Sequence, residues 1–158
     1  MKVAITGHRQ LPPGTSRLVD AAIRAELRRY SAGDLIGVSC LADGADQLFA
    51  RAVLDLGGRL EVVVPAGDYR AVLPPVCHTV YDELLARAAE VFRLSHRTST
   101  SEAFMDASRR MLGYVDQLLA VWDGKPARGF GGTADVVRLA GDLGLTVTVL
   151  WPSGATRE

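Results

Sequence analysis

Cysteine is scarce: Cys40 and Cys77 are the only two in 158 residues. They form no CxxC pair, so the sequence predicts neither a disulfide framework nor a redox dithiol. Cys40 follows an apolar run and reads as a buried thiol. Net charge is also missing, because 18 basic residues balance 18 acidic ones. A broad electrostatic grip on nucleic acid or on an anionic membrane is therefore not expected. Aromatic residues make up only 6% of the chain, few for a platform that stacks single-stranded bases. No apolar run approaches the roughly 20 residues of a membrane span. The start "MKVAITGHRQ" turns polar too soon for a signal peptide. A cytoplasmic protein with no membrane contact is expected. The three histidines and two cysteines show no metal-ligand spacing, so no metal is expected. GxxxxGK[ST] and GxSxG are absent, and no GxGxxG follows the first apolar run. That argues against a Walker-type ATPase, an α/β-hydrolase and a standard NAD dehydrogenase.

What the chain does have is alternation. Apolar β-rich runs at 2–6, 34–40, 59–65, 90–95, 116–122 and 145–151 read as strands. Most are continuous rather than alternating, as in parallel strands buried on both faces. Between them, apolar residues recur at helical spacing. Leu18, Ala22, Ile23, Leu27 and Tyr30 form one such stripe, and Ala45, Leu48, Phe49, Ala52, Val53 and Leu56 form another. Further helices are expected over 79–89, 102–114 and 133–143, with Ser16, Asp43 and Thr133 as caps. Residues 66–78 read as loop, broken by Pro74-Pro75. The pattern predicts an α/β, Rossmann-like three-layer sandwich. Its central sheet is mostly parallel, with helices on both faces. One domain is expected over 1–152, followed by a flexible tail at 153–158.

In such sheets ligands bind beyond the carboxyl ends of the strands. "TGHRQL" follows the first strand and offers Gly7 for a tight turn, then His8 and Arg9. Arginine presents a planar fork suited to phosphate or carboxylate. An arginine paired with a nearby acid is the bland alternative. "SCLADGADQLF" follows the second strand and places Ser39, Gly44 and Asp46 at a helix start, where free N–H groups favour an anion. Tyr69, after the third strand, has a ring that could stack on a planar base or simply pack. "DGKPARGFGGTADVV" follows the 116–122 strand and carries the densest signal. Gly131 and Gly132 let backbone approach a ligand, Thr133 offers a hydroxyl, and Lys125 and Arg128 add charge. Asp123, at the strand's carboxyl end, is a site candidate, whereas Asp116 at its amino end reads as structural. One of Arg109 and Arg110 could also reach the strand ends.

Taken together, "TGHRQL", "SCLADGADQLFARAVLDLGGRLEVVVP" and "LLAVWDGKPARGFGGTADVVRLA" resemble the SLOG superfamily. That group includes the Smf/DprA DNA-processing proteins and the LOG-type phosphoribohydrolases. The likeness is greatest to its stand-alone members, predicted to bind nucleotide-derived ligands. It implies a Rossmann-like fold and a pocket built from Gly7, His8 and Arg9, from Gly44 and Asp46, and from Gly131, Gly132 and Thr133. It also implies a nucleotide or nucleotide derivative as ligand. The phosphoribohydrolases carry PGGxGTxxE, whose glutamate serves N-glycosidic cleavage. Here Val136 stands third after Thr133, and Phe130 precedes the glycine pair in place of proline. Asp135 is one position early, rotated by about 100° on a helix.

The leading expectation is a nucleotide-binding sensor or carrier, with phosphate at the Gly131–Thr133 helix start and base or sugar near Gly44, Asp46 and Tyr69. An N-glycosidase would have to use Asp135, Asp123 or Asp46 for acid–base work. Single-stranded DNA binding is the least favoured reading. It would rely on Arg24, Arg28 and Arg29, against zero net charge. Related folds often pair through their helices, so a homo-oligomer is expected.

Overall fold

The computed structural model describes residues 1–158. Strands and helices alternate as β1 (Lys2–Gly7), α1 (Pro13–Leu27), β2 (Ile36–Ser39), α2 (Ala45–Asp55), β3 (Arg59–Ala66), α3 (Tyr69–Val72), α4 (His78–Ala86), β4 (Glu90–His96), α5 (Ser101–Leu112), β5 (Gln117–Val121), α6 (Thr133–Asp142) and β6 (Thr146–Val149). Single 3₁₀ turns occur at Ala32–Asp34 and Pro75–Cys77. All six strands join one parallel sheet in the order β4-β3-β2-β1-β5-β6. This is the three-layer α/β architecture that the alternation predicts. No helix is long and apolar enough to cross a membrane.

Continuous apolar strands serve a sheet covered on both sides. Val3 and Ile5 pack with Ile23 of α1 and Phe49 of α2. Ala4, between them, belongs to the opposite core with Met111 of α5 and Ala140 of α6. In β3, Leu60, Val62 and Val64 pack with Tyr69 and Leu84, while Val63 turns to the α5–α6 side. Thus α1 to α4 cover one face and α5 with α6 the other. Burying each of the larger aliphatic, Met and Phe side chains contributes about 1.5–3 kcal/mol relative to leaving it exposed.

Several local expectations need correction. None of the three proposed caps is a cap. α1 begins at Pro13, whose missing N–H suits a first turn. Ser16 therefore lies inside the helix, its hydroxyl 3.4 Å from the Leu11 carbonyl. Asp43 is drawn away by Arg9 and Gln10, and Gly44 takes the N-cap of α2. Gly132 takes that of α6, and Thr133 is the first helical residue. Residues 66–78 are not all loop, since α3 forms before the proline pair stops it. Cys40 is half-buried rather than buried. The segment 153–158, expected to be loose, is tied to α1. The Thr156 N–H donates to Thr15 Oγ1 (2.9 Å), and the Thr15 hydroxyl donates to the Thr156 carbonyl (2.8 Å).

Candidate ligand-binding site

Strand order reverses between β1 and β5, because β2 to β4 lie on one side of β1 and β5 with β6 on the other. At the carboxyl ends of these two strands lies a cavity of about 350 Å³, within the range of small-molecule sites. Ile5, Met111 and Val136 contribute apolar lining; Tyr69 and Phe104 add aromatic rings. The residues Thr6 to Arg9 and the β5–α6 loop complete the wall.

His8 ties three elements together. Its N–H donates to the Val121 carbonyl (3.1 Å), and its own carbonyl accepts from the Ala45 N–H (3.2 Å). Its ring Nε2 accepts from the Asp123 N–H (3.0 Å), which requires a neutral ring. Burial lowers its pKa, Arg157 lowers it further, and the nearby Asp123 carboxylate does not outweigh them. The ring stands edge-on to Trp151 at 5.5 Å. Arg9 is already oriented: its Nε donates to Asp43 Oδ1 (2.8 Å), and its Nη2 forms an ion pair with the same oxygen at 2.8 Å. The rest of its fork stays uncommitted.

Asp46 lies in the first turn of α2, where its buried carboxylate accepts from the Ala42 N–H at 3.3 Å. Burial raises its pKa from 3.8 to about 7, against the opposing pull of that N–H and of Arg9. It is the one carboxylate on the cavity wall. Opposite it, the loop before α6 turns at Gly131, where φ is +86°. A side chain there would also come within 3.1 Å of the Ser101 carbonyl. The Gly131 N–H donates to Asp135 Oδ2 (3.0 Å), which fixes the loop against the helix. The N–H groups of Thr133 and Ala134 have no hydrogen-bond partner in the protein. They are the orphan donors that a helix start offers to an anion.

No family model matches the sequence, and no curated protein matches it. Solved structures do. DNA processing protein A from Streptococcus pneumoniae superposes with a TM-score of 0.68 at 21% identity, over 97% of this chain. This chain spans 51% of that protein, about half its length. DNA processing protein A from Helicobacter pylori, described for its single-stranded DNA binding mode, gives 0.68 at 19% identity, over 99% of this chain and 68% of its own. The structural-genomics target TM1055 gives 0.60 at 19% identity, over 92% of this chain and 71% of its own. The fold is shared with these DNA processing proteins and with TM1055.

Within this fold the cavity gathers Gly7, His8, Arg9, Asp46, Gly131, Gly132 and Thr133, with Lys125, Arg128 and Tyr69. Four other candidates lie outside it. Ser39 is fully buried, its hydroxyl donating to the Asp46 carbonyl (3.2 Å) and accepting from the Leu41 N–H (3.0 Å). Gly44 packs behind the wall, where a Cβ would sit 2.6 Å from the His8 carbonyl oxygen. Asp135 holds its own loop. Asp123 accepts from the Lys125 N–H (3.0 Å). Burial would raise its pKa, but that N–H, His8 and Arg157 together hold it below the usual carboxylate value. Neither Arg109 nor Arg110 reaches the strand ends: Arg109 pairs with Asp106 and Arg110 lies over the Phe92 ring. Asp116 accepts from the Lys2 N–H at the opposite edge, in a structural role.

Sequence reasoning passed over Cys40, Phe104 and Arg157, all of which line the cavity. The signal for the first was its place, since Cys40 directly follows β2. Phe104 sits on α5, remote in sequence from every motif. Arg157 belongs to the segment read as a loose tail.

Proposed function

We propose that this chain binds a nucleotide or nucleotide-derived ligand at the carboxyl ends of β1 and β5, as a sensor or carrier. One observation supports this above the rest. A cavity with an apolar lining is faced by the unpartnered N–H groups of Thr133 and Ala134 and by the preset fork of Arg9. Phosphate would accept from those donors, and a base would lie against Tyr69 with its polar edge toward Asp46. Gly44 has no part in this contact, being behind the wall.

N-glycosidic cleavage is the second reading, and Asp46 is what favours it. A carboxyl that titrates at about 7 can donate a proton at neutral pH, as a general acid must. Asp135 and Asp123 are committed elsewhere. Nucleic-acid binding through the α1 arginines has less support. Arg24 is held by Asp20 and Asp55, and Arg29 by Glu26, so much of that charge is already paired.

The test is to incubate pure protein with nucleoside monophosphates and follow each mixture by native mass spectrometry and chromatography. The proposal expects a complex holding unchanged nucleotide, weakened about tenfold or more in Arg9→Ala. Free base produced with turnover, and abolished in Asp46→Asn, would establish the second reading instead. Absence of any nucleotide complex would refute both.

A further inference from the structure

The outer mouth of the cavity is built from three separate parts of the chain. Each contributes one arginine: Arg9 after β1, Arg128 from the β5–α6 loop, and Arg157 from the C-terminal segment. The same three, with Gln10, Pro12 and Glu158, line a second hollow that contains no hydrophobic residue. Because the arginines belong to both walls, the hollow adjoins the cavity directly.

Their partners differ in a telling way. Arg9 is oriented by Asp43. Arg128 Nη2 contacts Glu158 Oε1 at 2.8 Å, and Glu158 is itself largely exposed. Arg157 is half-buried yet makes no ion pair or side-chain hydrogen bond. It lies close enough to His8 and Asp123 to act on the charge of both. Nor is it there through a drifting tail, since Thr156 is clamped by two hydrogen bonds to the buried Thr15. A partly desolvated guanidinium that touches no carboxylate, with Asp123 acting on it only from a distance, has donors free for an anion. Here a carboxylate, Glu158, already occupies one of the neighbouring forks.

We propose that the outer hollow is a second phosphate subsite, so that the ligand carries two or more linked phosphates. It rests on the nucleotide reading of the cavity. The first phosphate sits at the start of α6, and the next lies between Arg128 and Arg157, where it displaces the Glu158 carboxylate. Glu158 then acts as an internal competitor, holding Arg128 in the empty protein.

Calorimetric titration with AMP, ADP, GMP, GDP and inorganic pyrophosphate at fixed ionic strength tests this. For whichever nucleoside binds, the diphosphate is expected to bind about tenfold or more tightly than the monophosphate. Arg157→Ala should bring that ratio close to one, and Glu158→Gln should increase it. Pyrophosphate should compete with the diphosphate. Equal affinity of mono- and diphosphate in the unmodified protein overturns the subsite while leaving the nucleotide reading intact. A ratio that survives Arg157→Ala does the same. If no nucleotide binds, the nucleotide reading falls first and the subsite with it. Oligonucleotide binding that depends on Arg157, with no diphosphate binding, assigns the hollow to single-stranded nucleic acid and also overturns the proposal.

Discussion

Asp46 should make the stability of this protein depend on pH in an unusual direction. Its carboxyl titrates at about 7 in the folded chain because burial disfavours the charged form; its ordinary value is 3.8. Below about pH 4 both folded and unfolded chains hold the proton, and the group's contribution is fully present. As pH rises, the unfolded chain releases its proton first, and stability declines until the folded carboxyl also ionises near pH 7. About three units at 1.36 kcal/mol each give a loss on the order of 4 kcal/mol. That is a large part of the 5–15 kcal/mol typical of a domain. Asn cannot ionise, so Asp46→Asn should lack this decline. Urea unfolding of both proteins from pH 4.5 to 8 reads the difference directly. The variant should gain on the parent by a few kcal/mol across that range, most steeply between pH 5 and 7. His8, whose lowered pKa makes stability fall as pH drops below 6.5, acts in both proteins and cancels in the difference. Parallel stability profiles would refute the argument that Asp46 is desolvated.

Gly44→Ala should be severe and Gly33→Ala mild. Gly44 has φ +87° and ψ −130°, and a methyl group there would press on the His8 carbonyl and Arg9 Cα, whereas Gly33 has nothing within 4 Å. Strain and overpacking together amount to roughly 2–6 kcal/mol, so similar melting temperatures for the two variants would contradict the geometry. Asp135→Ala removes the acceptor of the Gly131 N–H, worth about 0.5–1.5 kcal/mol. Hydrogen exchange at Gly131 should quicken while global unfolding barely moves; unchanged exchange would mean that Asp135 does not hold the loop.

The layer order was legible because strands covered on both faces must be apolar throughout, as Val3, Ala4 and Ile5 are. Which residues cap the helices was not. Ser16, Asp43 and Thr133 are all competent caps, but Pro12, Gly44 and Gly132 take the positions, and Asp43 finds a stronger partner in Arg9. The motifs located the cavity yet could not say which side chains enter it. Around the end of β2 the local backbone decides, and it turns Ser39 inward while Cys40 and Asp46 reach the wall. Arg157 was illegible for a different reason. Its position depends on a Thr15–Thr156 pair separated by 141 residues, and nothing local in "PSGATRE" signals that clamp.

β1 comes first in the chain but lies in the interior of the sheet, and this bears on the order of assembly. During synthesis its pairing with β2 needs only the next segment, Val3 lying beside Gly37. Its pairing with β5 must wait, since the Lys2–Asp116 bond beside it spans 114 residues. Closing so long a loop is slow and entropically unfavourable. Until then one flank of β1 has bare backbone groups, the kind of edge that invites pairing with another chain. The arrangement that puts the cavity at the centre of the sheet thus leaves the nascent chain vulnerable to aggregation until β5 has been made.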